Sequence, residues 1–354
     1  MPGFTTRILN EGDADLRRRL IAIYAALIAA NIVVWLWALT ALHEHPVMLG
    51  TALLAYTFGM RHAVDADHIA AIDNVTRKLM QQGQKPAAVG LFFSLGHSAV
   101  VTLMTLAVAF AASAVTSRFD SFKAVGSIVS TSASALFLFA IALVNIVVLA
   151  AVARTFQAVK RGEPFVADDF DLLLNSRGIL SRIFRPLFGL VTQSWHLLLI
   201  GFLFGLGFDT ASEVALFGIS SSQAAHGVSI GTIMVFPALF TVGMSLVDTT
   251  DGVLMLGAYG WAFDKPIRKL YYNMTITAVS VIVAVLIGGI ETLGLIGDQF
   301  KMEGPFWDFI GALNDNFGML GYIIIGIFVV SWLASVLIYR VNGYHELEAR
   351  IGAA

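Results

Sequence analysis

Residues 58–78 read FGMRHAVDADHIAAIDNVTRK, and the reading of this stretch decides the architecture. It continues a mostly apolar run that begins at Val47, yet it places Arg61, His62, Asp65, Asp67, His68 and Asp73 within thirteen residues. Ionisable side chains are costly in hydrocarbon and mark a pathway or a site when they occur there. The rest of the chain says which solvent this stretch meets. Of 354 residues, 57% are hydrophobic and 13% are charged, against about 25% charged in a soluble domain. Mean hydropathy is +0.79. This composition excludes an ordinary soluble enzyme and a disordered chain, and it indicates an all-α polytopic membrane protein. The net charge of −2 gives no support for nucleic-acid binding, and the absence of cysteine excludes disulfides, thiolate catalysis and iron–sulfur clusters. A metal site here draws on His, Asp, Glu, Asn, Met or backbone groups, which suit borderline and hard ions.

A transmembrane helix needs about 20 mostly apolar residues. Eight such stretches are expected, at about 20–42, 48–75, 88–113, 125–153, 196–219, 230–260, 270–297 and 317–340. Arg17, Arg18 and Arg19 precede the first, which is too long for a signal-peptide core and reads as a retained span. Lys and Arg stay preferentially on the cytoplasmic side. With the N-terminus inside, 18 of the 22 fall in inside segments and only Arg118, Lys123 and Lys301 in outside loops. This bias predicts both termini in the cytoplasm and a multi-pass protein of the cytoplasmic membrane. Residues 1–354 then form one polytopic domain, with a cytoplasmic N-terminal segment at 1–19 and a solvated cytoplasmic loop at 154–195 between spans four and five.

The ionisable residues read within spans concentrate in four of them. Span two holds the cluster above, span three His97, span five Asp209 and Glu213, and span six Asp248 and Asp251. On a regular helix His62, Asp65 and His68 stand at i, i+3 and i+6 and share about a 120° sector. Asp67 points roughly the other way and reads as a partner for Arg61, for another helix or for a histidine N–H. A local break would change that assignment. For Asp73, helix termination or pairing with Arg77 is the favoured reading; for Glu213, structure and function weigh equally. Three costly groups on one face need a common reason, and a divalent cation supplies it. Carboxylates balance its charge and neutral imidazoles donate nitrogen. The metal candidates are therefore His62, Asp65, Asp67, His68, His97, Asp209, Asp248 and Asp251.

There is also an internal echo. FGMRHAVDAD from Phe58 parallels FGLGFDTASE from Phe204, and SLGHSAV from Ser94 parallels SLVDTTDG from Ser245. The paired segments run in opposite directions across the membrane. Spans two to four against five to seven thus permit a 3+3 inverted repeat, a design of secondary transporters whose site lies near the midplane.

The chain resembles the nickel/cobalt transporter family of secondary permeases. The resemblance rests on His62-Ala-Val-Asp-Ala-Asp67-His68 in span two, with FSLGHSAVV from Phe93, LGFDTASE from Leu206 and GMSLVDTTDG from Gly243, in order along residues 50–300. It implies eight spans and import of Ni²⁺, Co²⁺ or both as substrate, with no resident cofactor and no enzymatic activity. It assigns the essential role to His62, Asp67 and His68, with Asp65 between them, and a weaker role to His97, Asp209, Asp248 and Asp251. No GxxxxGK[ST] motif occurs, so no ATPase subunit is implied, and transport is expected to draw on membrane potential or coupled ions. The partners expected are the ion and the lipid bilayer; the sequence is silent on oligomeric state. The nearest alternative is a divalent-metal exporter of related architecture, though residues 154–195 lack the histidine-rich loop common in exporters. A membrane metalloenzyme is the other, but His43-Glu44-His45 lacks the second histidine of HExxH.

Overall fold

A computed structural model describes residues 14–43, 46–116, 119–161, 191–206, 211–225, 227–262 and 266–341. All regular structure among them is helical. In chain order the helices are α1 (Ala14–Leu42), α2 (Pro46–His62), α3 (Ala66–Gln81), α4 (Val89–Thr116), α5 (Phe119–Lys160) and α6 (His196–Phe204). They continue with α7 (Ala211–Ala225), α8 (Ile230–Ile233), α9 (Val235–Ala262), α10 (Pro266–Phe300), α11 (Pro305–Asp315) and α12 (Phe317–Val341). Six helical stretches are long and apolar enough to cross a membrane: α1, α4, α5, α8 with α9, α10 and α12. Most of the cytoplasmic segments expected at 1–19 and 154–195 lie outside the described residues, as does Asp209.

The stretches expected as spans two and five are not continuous helices. The first divides into α2 and α3 around Ala63–Asp65. Val64 and Asp65 close tight turns onto the carbonyls of Arg61 and His62, and the ladder restarts with Ile69 N–H on the Asp65 carbonyl. Asp65 sits at the N-cap of α3 with extended backbone (φ −66°, ψ 149°), although its side chain makes no capping bond. The second stretch ends α6 at Phe204, with Gly205 as C-cap, and resumes as α7 at Ala211. The regular 120° face expected for His62, Asp65 and His68 is therefore replaced by a corner: His62 closes α2 and His68 lies in α3.

Close crossings hold these half-helices. α6 packs on α4, and α2 packs on α9. A Cβ at Gly96 would strike the Leu198 carbonyl, and one at Gly201 the Phe93 carbonyl. A Cβ at Gly59 would strike the Phe240 backbone. Between the two crossings, α4 and α9 touch each other, and Ser94 Oγ donates to Ser245 Oγ at 3.0 Å. These two serines are the first residues of the echoed SLGH and SLVD segments. Small residues permit such backbone approach where lipid offers no hydrophobic drive to helix association. α5 and α10 pair along their lengths and, with α12, flank α3 through Ala66, Ile69, Leu138, Val283, Ile287 and Ile324.

Gly201→Leu drives a side chain into the α4 backbone, whereas Gly218 faces open space. Overpacking costs about 1–3 kcal/mol where the site cannot give. Gly201→Leu is expected to lower the thermal midpoint of the detergent-purified protein by several degrees, and Gly218→Leu to leave it unchanged, as followed by tryptophan fluorescence.

Candidate metal site

The break in α2–α3 aims two imidazoles at a third. His62 at the end of α2, His68 in α3 and His97 in α4 have ring centroids 4.6–4.9 Å apart. One ring nitrogen from each falls within 4.8 Å of the others. All three are buried, at 2%, 0% and 2% exposure. His62 Nε2 and His97 Nε2 are 2.8 Å apart. Glu213 Oε1, from the first turn of α7, lies 2.9 Å from His97 Nε2 and 4.0 Å from His62 Nε2. His68 Nε2 has no hydrogen-bond partner.

Each imidazole has its own carboxylate. His62 Nδ1 lies 3.1 Å from Asp65 Oδ2, with Ser212 Oγ 3.3 Å from the same nitrogen. His68 Nδ1 lies 3.3 and 3.4 Å from the two oxygens of Asp248. His97 has Glu213. A carboxylate on one ring nitrogen takes its N–H, fixes the tautomer and turns the lone pair of the other nitrogen outward. For His62 and His68 that nitrogen is Nε2, and both face the centre. On His97 both Glu213 Oε1 and His62 Nε2 meet Nε2, so that nitrogen offers a lone pair to a cation only in the tautomer that carries the proton on Nδ1. Two phenylalanines wall the cluster: Phe93 packs edge-on to His68 at 4.7 Å, and Phe240 packs on His62 at 5.6 Å. Both are fully buried. The arrangement offers three nitrogens and one carboxylate oxygen to a divalent ion, with two further carboxylates behind the histidines to balance its charge.

Of the residues read from the sequence, the fold brings together His62, Asp65, His68, His97 and Asp248. Asp67 occupies the first turn of α3 and is half-buried, and Asp251 stands one turn beyond Asp248, also half-buried. Asp65 and Asp248 are the carboxylates in contact with His62 Nδ1 and His68 Nδ1. Glu213 was left undecided by the sequence, although the echo pairs it with Asp67 and both acids fall in the first turn of a half-helix. A second buried carboxylate escaped notice altogether. Glu291 in α10 is 6% exposed and accepts from Ser134 Oγ at 2.8 and 2.9 Å, so ionisable groups are not confined to spans two, three, five and six.

Comparison with known proteins places these residues in context. The family model described as NicO, high-affinity nickel-transport protein, matches residues 48–338. The chain is 59% identical to the high-affinity nickel transport protein of Cupriavidus necator over 334 residues, covering 94% of this chain and 95% of that one. It is 47% identical to the nickel transporter NixA of Staphylococcus aureus, covering 84% and 87%. It is 37% identical to the cobalt transport protein NhlF of Rhodococcus rhodochrous, covering 82% of each. No solved structure matches.

Imidazole must be neutral to ligate a metal, so binding here releases protons. The affinity of the purified protein for a divalent first-row ion, followed by calorimetry, is expected to fall about tenfold or more per pH unit below the ordinary histidine range near pH 6.5. An affinity that is flat between pH 5 and 8 excludes a histidine site.

Proposed function

Since the chain belongs to the high-affinity nickel-transport protein family, we propose that it imports Ni²⁺, Co²⁺ or both across the cytoplasmic membrane as a secondary transporter, the ion being cargo rather than cofactor. The observation that carries this reading is the convergence of His62, His68, His97 and Glu213 from four helices at an interruption inside apolar surroundings. Irregular backbone at membrane depth is tolerated where it lines a cavity or is buried in protein, and broken helices carry ion sites in secondary transporters.

In this reading the chain crosses the membrane eight times with both termini inside, and α2–α3 and α6–α7 are its two broken spans. Spans two to four and five to seven form an inverted repeat. The swapped crossings support it, since the first half of broken span two packs on span six and the first half of broken span five on span three. Ser94 and Ser245 then meet near the axis relating the halves. Residues 1–19 and 154–195 are the cytoplasmic segments of a single membrane domain, and the transporter works without an ATPase subunit.

The chemistry follows from the geometry. A hydrated dication reaches the cluster from outside and exchanges water for imidazole nitrogen and the Glu213 carboxylate. In this topology α9 carries Phe240 on the outer side of Asp248, and α4 carries Phe93 on the inner side of His97. The two rings thus close the site on opposite sides, and alternate displacement of one and then the other passes the ion inward. Asp251 and Asp73 lie further toward the cytoplasm and offer carboxylates along the exit; Asp67 flanks the break of α2–α3. The membrane potential supplies about 2.3 kcal/mol per charge per 100 mV, hence about twice that for a dication. N/O donor sets serve Ni²⁺ and Co²⁺ alike, so geometry decides between them.

The test is uptake of ⁶³Ni²⁺ and ⁵⁷Co²⁺ at nanomolar concentration into cells expressing the chain at matched membrane levels. Parent cells are expected to accumulate at least one ion; His68→Ala and Glu213→Gln are expected to lose about 90% or more of the initial rate. Dissipating the potential with an ionophore is expected to abolish accumulation in the parent. Faster loss of preloaded metal, with no accumulation, overturns import.

A further inference from the structure

Asp65 occupies the N-cap of α3, yet its side chain does not cap that helix. One oxygen, Oδ2, is taken by His62. The other, Oδ1, has no hydrogen-bond partner, although the residue is only 2% exposed. An orphaned carboxylate oxygen in a dry interior is costly unless charge or dipoles meet it. What meets it is the start of α12. A Cβ at Gly318, in the first turn of that helix, would lie 3.0 Å from Asp65 Oδ1 and 3.2 Å from Arg61 Nη2. One turn on, a Cβ at Gly321 would strike the Val64 carbonyl, which the break leaves outside the helical ladder. The first turn of a helix has N–H groups without intrahelical partners and carries the positive end of the helix dipole. The sector where α12 seats on the break therefore presents a positive helix end and a guanidinium to a negative oxygen.

We propose that Asp65 is a positioning residue rather than a metal ligand, and that Gly318 and Gly321 are part of the ion site's machinery although neither touches the ion. This rests on the transport reading above and assigns the last span a role within it. The positive end of α12 faces Oδ1, so Oδ2 stays turned toward His62 Nδ1 and accepts a hydrogen bond from it. The lone pair of His62 Nε2 is thereby fixed toward His68 and His97 before any ion arrives. Only glycine allows the approach. At Gly321 the obstacle is backbone, whereas at Gly318 it is the movable ends of Asp65 and Arg61, which makes Gly318 the gentler probe.

The experiment is Ni²⁺ titration calorimetry on detergent-purified parent, Gly318→Ala, Gly318→Val and Gly326→Val, each checked for a monodisperse size-exclusion profile. Gly326 lies on the same helix and a Cβ there meets nothing. Loss of a partner that orients a metal-binding histidine typically weakens binding about 10- to 100-fold. Graded weakening is expected in Gly318→Ala and then Gly318→Val, with Gly326→Val within about twofold of the parent. If Gly318→Val does not fold, Gly318→Ala carries the test. Parallel Ni X-ray absorption on Asp65→Ala at saturating Ni²⁺ is expected to keep the parent's number of nitrogen and oxygen donors. A missing oxygen donor in Asp65→Ala, or parent-like affinity in both Gly318 variants, overturns the positioning role alone. A parent that binds no Ni²⁺ overturns the transport reading and this one with it.

Discussion

Three histidines share the centre of an apolar bundle, and each has one carboxylate on it: Asp65 on His62, Asp248 on His68, Glu213 on His97. This pairing is the constraint on which the rest depends. Unpaired, three carboxylates buried to 2% exposure or less carry a desolvation penalty of several kcal/mol per ion. Paired with imidazoles, they still gather carboxylate and nitrogen lone pairs at one point of an apolar interior. A dication is the species that satisfies both the lone pairs and the charge.

The interruption of α2–α3 follows from the same demand. A straight helix sets residues i and i+6 about a turn and two-thirds apart, and no neighbouring histidine meets both well. Breaking the chain at Ala63–Asp65 folds His62 and His68 toward one point, where their ring centroids stand 4.7 Å apart. The freed backbone groups must be absorbed within protein, because lipid offers no partners. Tight turns take two of the N–H groups, and α12 covers the Val64 carbonyl through Gly321. Glycine recurs at the crossings for this reason: ligands held on half-helices are only as precise as the contacts that fix those half-helices.

In the proposed inverted repeat, the echo between the two halves links fold to transport. Each half supplies a broken helix and a supporting one, and each broken helix rests on the partner half's support. The site consequently draws His62, His68 and His97 from one half and Glu213 and Asp248 from the other. In the proposed repeat, movement of one half against the other alters the coordination sphere, and this would couple ion binding to the opening of either side.

Composition and apolar run lengths alone established that the chain is helical and membrane-embedded, since the thickness of a bilayer leaves few other uses for such runs. The costliness of charge in hydrocarbon likewise singled out His62, Asp65, Asp67, His68, His97, Asp209, Asp248 and Asp251, because local sequence suffices to say which polar groups sit among apolar ones; of these the fold gathers His62, Asp65, His68, His97 and Asp248. What the sequence left open was direction. Regular helical periodicity put His62, Asp65 and His68 on one face and turned Asp67 away; the turns at Ala63–Asp65 broke that periodicity, and no residue there signals a break strongly enough to outweigh an apolar run. Glu213 was undecided and Glu291 unnoticed because nothing in their own segments says which helix they face. Only the packing of α4 against α7 and of α9 against α3 decided which carboxylate meets His97 and which meets His68, since those contacts join residues more than a hundred positions apart and depend on how closely glycines let the backbones approach.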